Sequence, residues 1–253
     1  TVGFNAFSFV VMAGAVVLVR RPFLPSAVSD GGVFERLGGG WRTLRATPGC
    51  WHGVVLLVLF NLTAVPFMGL IPIFAKAEFH GGTGLAGTIA SAQGIGAIFG
   101  GIIITLLAAH YRRSFLVGRL VFVLAAALAC YALAPNRAWA IGFAVILGAA
   151  SSSMFISASA IIQRDAPDAS RGRVMSIMQA SMGVSYGIGL LFIGSIGDLS
   201  NLRVAYSVGA ALLVVGFVLL TLRSRHWRKA FDGIETIASD HVTSDQLSVA
   251  CGD

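Results

Sequence analysis

The sequence predicts an all-α membrane protein with seven transmembrane helices, and three observations predict it. Hydrophobic residues make up 56% of the 253 and charged residues only 11%, against roughly 45 to 50% and 25% in soluble domains. Mean hydropathy is +0.83. The few charges gather between long uncharged windows rather than within them. A formal charge of +7 by itself would suit a nucleic-acid binder. Here sixteen of the eighteen basic residues are Arg in short clusters between apolar runs, so the expected partner is a lipid bilayer and not a nucleic acid.

A helix crosses the hydrocarbon layer in about 20 apolar residues. Windows of that kind run over Val2 to Val19, Gly53 to Ala75, Ala86 to Ala109, Phe115 to Leu133, Ala138 to Ile162, Val174 to Gly197 and Val204 to Leu222. If the first begins outside, the inside segments carry fifteen basic residues, from Arg20 and Arg21 through Arg112, Arg113, Arg164, Arg171 and Arg173 to Lys229. The outside loops keep only Lys76, Arg137 and Arg203. Positive charge stays on the cytoplasmic side of a membrane, so a cytoplasmic C-terminus is expected, with multi-pass insertion in the cell (inner) membrane. Arg119, one turn into its window, is expected to snorkel back to that surface.

Between the first two windows lies an inside segment of about 30 residues, long beside a usual connection of roughly 4 to 6. In it Phe34, Leu37, Trp41 and Leu44 recur at helical spacing, which suits a helix lying on the membrane surface, although Gly38, Gly39 and Gly40 interrupt the pattern. The tail from Ser224 starts basic and turns acidic and polar; its start is expected to sit on anionic lipid and its end to be disordered. The chain opens at Thr1 with an uncharged run, which suits a fragment begun inside a helix.

Few residues suggest chemistry. Cys50, Cys130 and Cys251 are isolated, with no CxxC pair and no His at ligand spacing, so no metal and no cofactor is expected. Gly183-Val184-Ser185-Tyr186-Gly187 matches the GxSxG pattern of serine hydrolases, but it falls in mid-helix and no window holds a His to act as base, so an enzyme is not expected. The glycines have another use. Gly96 with Gly100, and Gly183 with Gly187, form GxxxG pairs that let helix backbones approach, either within this unit or against a partner.

Asn61, Thr63, Pro66 and Pro72 fall in the second window, where prolines free carbonyls and bend a helix. Polar residues at Gln93, Ser151, Ser152, Ser153, Gln179, Ser181 and Tyr186 serve either helix-to-helix hydrogen bonds or a substrate cavity. No acidic, Lys or His residue occupies mid-window; Asp198 and Glu78 read as boundary residues. The turn Asp165-Ala166-Pro167-Asp168-Ala169-Ser170-Arg171-Gly172-Arg173 places Asp165, Asp168, Arg171 and Arg173 together, as a solvated surface turn or as a cytoplasmic gating latch.

The run Pro167 to Ser176 resembles the PxxxRGRVxS segment of the major facilitator superfamily, in its transmembrane secretion effector branch, which includes enterobactin and macrolide exporters. Leu70 to Ala75, the Gly81 to Gly87 turn and Gly94-Ile95-Gly96 resemble that branch's seventh and eighth helices, and Gly40 to Pro48 its central linker. The resemblance implies a half-bundle of two inverted three-helix repeats behind one leading helix. Residues 1–19 would end a missing N-terminal half, 20–52 form the cytoplasmic linker, 53–223 the six-helix transporter domain and 224–253 the tail.

It further implies alternating-access export of a small, partly apolar molecule of drug, macrolide or siderophore type, driven by protons. On that pattern Asn61, Phe67, Met68, Gln93, Ser152, Phe155, Gln179 and Tyr186 would line the substrate cavity. Both glycine pairs would then face the missing half and be bare without it. The loop Ala108 to Arg113 has the superfamily's basic pair but lacks its acidic residue, so Arg112 and Arg113 are expected to meet lipid. Two rival readings are a non-transporting membrane scaffold or regulatory half-transporter, and an intramembrane enzyme.

Overall fold

A computed structural model describes residues 2–18, 33–223 and 231. The expectations for the tail, Phe231 excepted, and for residues 19–32 lie outside that set. Nine helices occur among the described residues: α1 (Val2–Leu18), α2 (Val33–Ala46), α3 (Pro48–Thr63), α4 (Pro66–Phe79), α5 (Thr83–Ala108), α6 (Arg113–Ala132), α7 (Arg137–Asp165), α8 (Arg171–Leu199) and α9 (Leu202–Arg223). The chain divides into two units, Thr1–Arg36 and Leu37–Asp253. In the first, α1 is a helix of 17 residues without a charge.

The second unit holds six helices long and apolar enough to cross a membrane, with α3 and α4 together making one span over Pro48–Phe79. The seventh expected span is α1, whose 17 described residues fall just short of that length. Observed helices overrun the sequence windows, α7 starting at Arg137 and α8 at Arg171. The windows stopped at the first charge, whereas an Arg on a terminal turn keeps the helix and carries its guanidinium out to water.

Proline divides the first span. Pro66 has no N–H, so the Leu62 carbonyl loses its helical donor. The chain adapts by shifting neighbouring bonds: Ala64 and Val65 both donate to the Phe60 carbonyl (2.9 and 3.1 Å), and Phe67 donates to Ala64 (3.3 Å). The bend expected from these prolines is therefore at Ala64 and Val65. Pro72 sits inside α4 without ending it.

Close packing of backbones organises the rest. α5 lies along α7, α8 along α3, and α6 between α7 and α9. A side chain added to Gly96 or Gly100 of α5 would collide with the backbone of Val145 or Ala149 on α7, and one added to Gly148 of α7 with the Gln93 carbonyl on α5. The contact is thus reciprocal. Across it Ser152 donates to the Ala97 carbonyl (2.8 Å) and Ser153 to that of Gly100 (2.9 Å).

α2 runs unbroken through Gly38, Gly39 and Gly40. The glycines that weakened the helical pattern explain its seat, for a Cβ on Gly40 would stand 2.7 Å from Ile177 Cδ1 and 3.3 Å from Arg173 Cβ on α8. Leu44 is fully buried. Beside it the Arg45 guanidinium lies 5.1 Å from the Trp41 ring and 5.4 Å from that of Trp51, a cation shared by two aromatic faces.

Candidate functional site

The residues expected in a substrate cavity separate into two groups. Asn61 is buried, its amide donating to the Leu57 carbonyl (2.9 Å), and Gln93 is buried on the α5 side that meets α7. Phe67 belongs to this buried group as well. It lies fully inside, edge-on to Tyr131 of α6 (5.9 Å between centroids), in a cluster with Phe74, Phe79 and Tyr206. The bend at Ala64 and Val65 precedes α4, and Pro66 and Phe67 at its start are both buried.

Met68, one residue on, is exposed, as are Phe155 of α7 and Gln179 of α8, with Tyr186 of α8 half-buried. Tyr186 reaches α4 at the residue after Met68: a Cβ on Gly69 would stand 2.7 Å from its hydroxyl. Ser152 is half-buried and already bonded to α5.

The glycine pairs separate too. Gly96 and Gly100 are not bare, as expected from the resemblance, but interlock with α7. Gly183 and Gly187 have nothing within 4 Å, and neither have Gly84, Gly87 and Gly94 on the other side of α5. The open small-residue face of α5 therefore belongs to glycines that the sequence reading had not paired for close helix approach. α8 is the least enclosed span, with 17% of its most apolar window buried. Ser185, the centre of the GxSxG match, is buried in the middle of α8 and donates to the Ser181 carbonyl (2.6 Å).

At the α7 to α8 turn the four gate residues do not form one network. Asp168 pairs with Arg171 at 2.8 Å, both exposed. Asp165, nearly enclosed, pairs with Arg164 (2.6 Å), whose other end donates to the carbonyl of buried Phe231 (3.1 Å). Arg173 reaches back to the Ala169 carbonyl (3.4 Å) and borders Gly39 and Gly40 of α2. Arg119 places its guanidinium 4.0 Å from the Phe115 ring, one turn back toward the start of α6.

The opposite end of the bundle holds a constellation that sequence reading missed. Arg203 of α9 bonds Glu78 of α4 (2.5 Å) and the Ala134 carbonyl after α6 (3.2 Å), while Arg137 of α7 donates to the Phe79 carbonyl (2.8 Å). Two of the three basic residues at that end are thereby committed to helix C-termini, where carbonyls lack intrahelical donors. A signal existed, since Glu78 and Arg203 are unusual as charges at opposite ends of apolar runs.

Helices of this length and hydropathy, interlocked by glycine and joined by short polar turns, define a multi-pass membrane protein. Residues 53–247 match the family model described as Major Facilitator Superfamily. The chain belongs to that superfamily, whose members are membrane transporters acting on small molecules from within a lipid bilayer. No curated protein and no solved structure was found to match it.

Proposed function

We propose that the six-helix domain is one half of a secondary exporter that moves a small, partly apolar molecule by alternating access. The observation that carries this reading is that α8 leaves Gly183 and Gly187 bare, with Gln179 exposed and Tyr186 half-buried on the same helix, while Met68 of α4 and Phe155 of α7 are exposed as well. Met and aromatic side chains adapt to bulky apolar ligands, while Gln179 and Tyr186 offer hydrogen bonds to orient one. Bare glycines let a second helical half approach closely and slide. That second half supplies the other cavity wall and the acid that couples transport to protons. The arginine-rich ends face the cytoplasm of the inner membrane, and Arg171 and Arg173 steady the inner end of the rocking interface.

The packing supports an arrangement of two inverted triplets. Exchanging α3 with α4, α5 and α6 for α7, α8 and α9 turns the α5–α7 contact into α8–α3 and the α6–α7 contact into α9–α3, and all four occur.

Cells making the protein together with its second half should accumulate less of a fluorescent amphiphilic dye than cells without it. Tyr186→Ala and Phe155→Ala should raise accumulation several-fold, as should a protonophore. Dye levels indifferent to the protein and to both variants would overturn the exporter reading; indifference to the protonophore alone would remove proton coupling.

A further inference from the structure

A cavity of about 220 Å³ opens between the end of α5, the first turn of α6 and the last third of α7. Ile104, Leu116 and Ile156 make its walls apolar, and the Thr105 hydroxyl at its edge already donates to the Gly101 carbonyl (2.8 Å). Arg113 lines the same space, and its Nη1 is buried with no hydrogen-bond partner among the described residues. A guanidinium nitrogen without an acceptor in apolar surroundings is costly, so the site calls for an acceptor, and an anionic oxygen answers a guanidinium best. The neighbouring helices supply none. Residues 79–164 contain no Asp or Glu, and Asp165 at the end of α7 is bonded to Arg164.

We propose that this cleft binds one anionic phospholipid from the leaflet at the arginine-rich end of the bundle. The lipid phosphate accepts from Arg113, and an acyl chain lies along Ile104, Leu116 and Ile156. A small soluble anion would gain nothing from three apolar walls, whereas an amphiphile satisfies walls and guanidinium together. Exposed Arg112, the neighbour of Arg113 in the chain, adds positive charge at the same end of the bundle. The inference rests on the membrane orientation given above, and on nothing about the substrate.

The test is native mass spectrometry of the detergent-purified protein, titrated in turn with dioleoyl phosphatidylglycerol and dioleoyl phosphatidylcholine. One phosphatidylglycerol should be retained about fivefold more strongly, the worth of roughly one basic residue at a lipid surface. Arg113→Gln should abolish the preference and Arg113→Lys keep part of it. Ile156→Trp, which fills the cleft while leaving the charge, should expel the lipid as well. Equal retention of both lipids, or a preference that survives Arg113→Gln, would overturn the proposal. Displacement by millimolar inorganic phosphate would replace the lipid by a free anion, and wild-type binding lost only when the second half is present would assign Arg113 to a carboxylate of that half. Loss of lipid preference with dye export intact sinks this site alone; a protein that fails to enter the membrane sinks the reading beneath it.

Discussion

Gly189 of α8 lies against the carbonyl oxygen of Leu62, the group that Pro66 deprives of its helical donor. Gly209 of α9 covers the neighbouring Thr63 carbonyl in the same way. Carbonyls freed inside an apolar bundle have no water to turn to, and a glycine lets a partner backbone close over them with weak C–H to oxygen contacts. The bend and the glycines that face it are one device.

Gly189→Val should therefore cost about 1 to 3 kcal/mol, since its side chain must displace backbone rather than a flexible side chain. Thermal unfolding in detergent measures it. Gly187→Val, two residues away with open space before it, should leave the same transition nearly unchanged.

The α5–α7 contact gives a graded pair of outcomes. Ser153→Ala removes a buried hydrogen bond to Gly100 and should lower stability by about 0.5 to 1 kcal/mol. Gly148→Leu drives a side chain into the Gln93 carbonyl and should cost about 3 kcal/mol or more, read as loss of a monodisperse folded fraction.

Arg203→Ala leaves Glu78 half-buried and unpaired and strips a donor from Ala134. We expect a loss of about 2 to 4 kcal/mol. A double-mutant cycle with Glu78→Gln should show coupling, and Arg203→Lys should restore only part of it because a single ammonium does not match the fork of donors. Additive single effects would refute the pairing.

Asp168→Ala should do almost nothing to stability, about 0 to 1 kcal/mol, because both members of its pair with Arg171 are exposed. A clear change in dye export with no change in unfolding would then isolate a transport role for this turn.

Gly40→Leu should lift α2 from α8 by crowding Ile177 and Arg173. Limited proteolysis between Leu37 and Pro48 should become at least several times faster, while the six spans keep their helical content. Unchanged cleavage would show that the contact does not hold the linker.

The spans were legible because hydropathy records the solvent a segment meets, and 20 apolar residues between arginines have few other uses. The expected bend at the prolines followed from local chemistry as well, whereas the seat of the Arg119 guanidinium on the Phe115 ring was not foreseen. The linker helix was half legible: its period was visible in Trp41 and Leu44, but Gly38 to Gly40 read as breakers when two of them, Gly39 and Gly40, are the surface that docks on α8. Gly148 and Gly189 were overlooked although each follows a small residue by four, Ala144 and Ser185, the spacing that marks close helix approach.

Sequence alone marked the apolar spans of a multi-pass membrane protein and the charged turns between them, since exclusion of charge from lipid acts on each segment separately. Facing was decided only by the tertiary structure. It turned Gly96 and Gly100 inward and left Gly183 and Gly187 open, buried Phe67 and exposed Met68, and joined Glu78 to Arg203 across 125 positions. The reason is that lipid and the interior of a helical bundle are equally apolar, so hydropathy does not distinguish a helix face that meets a neighbour from one that meets the membrane.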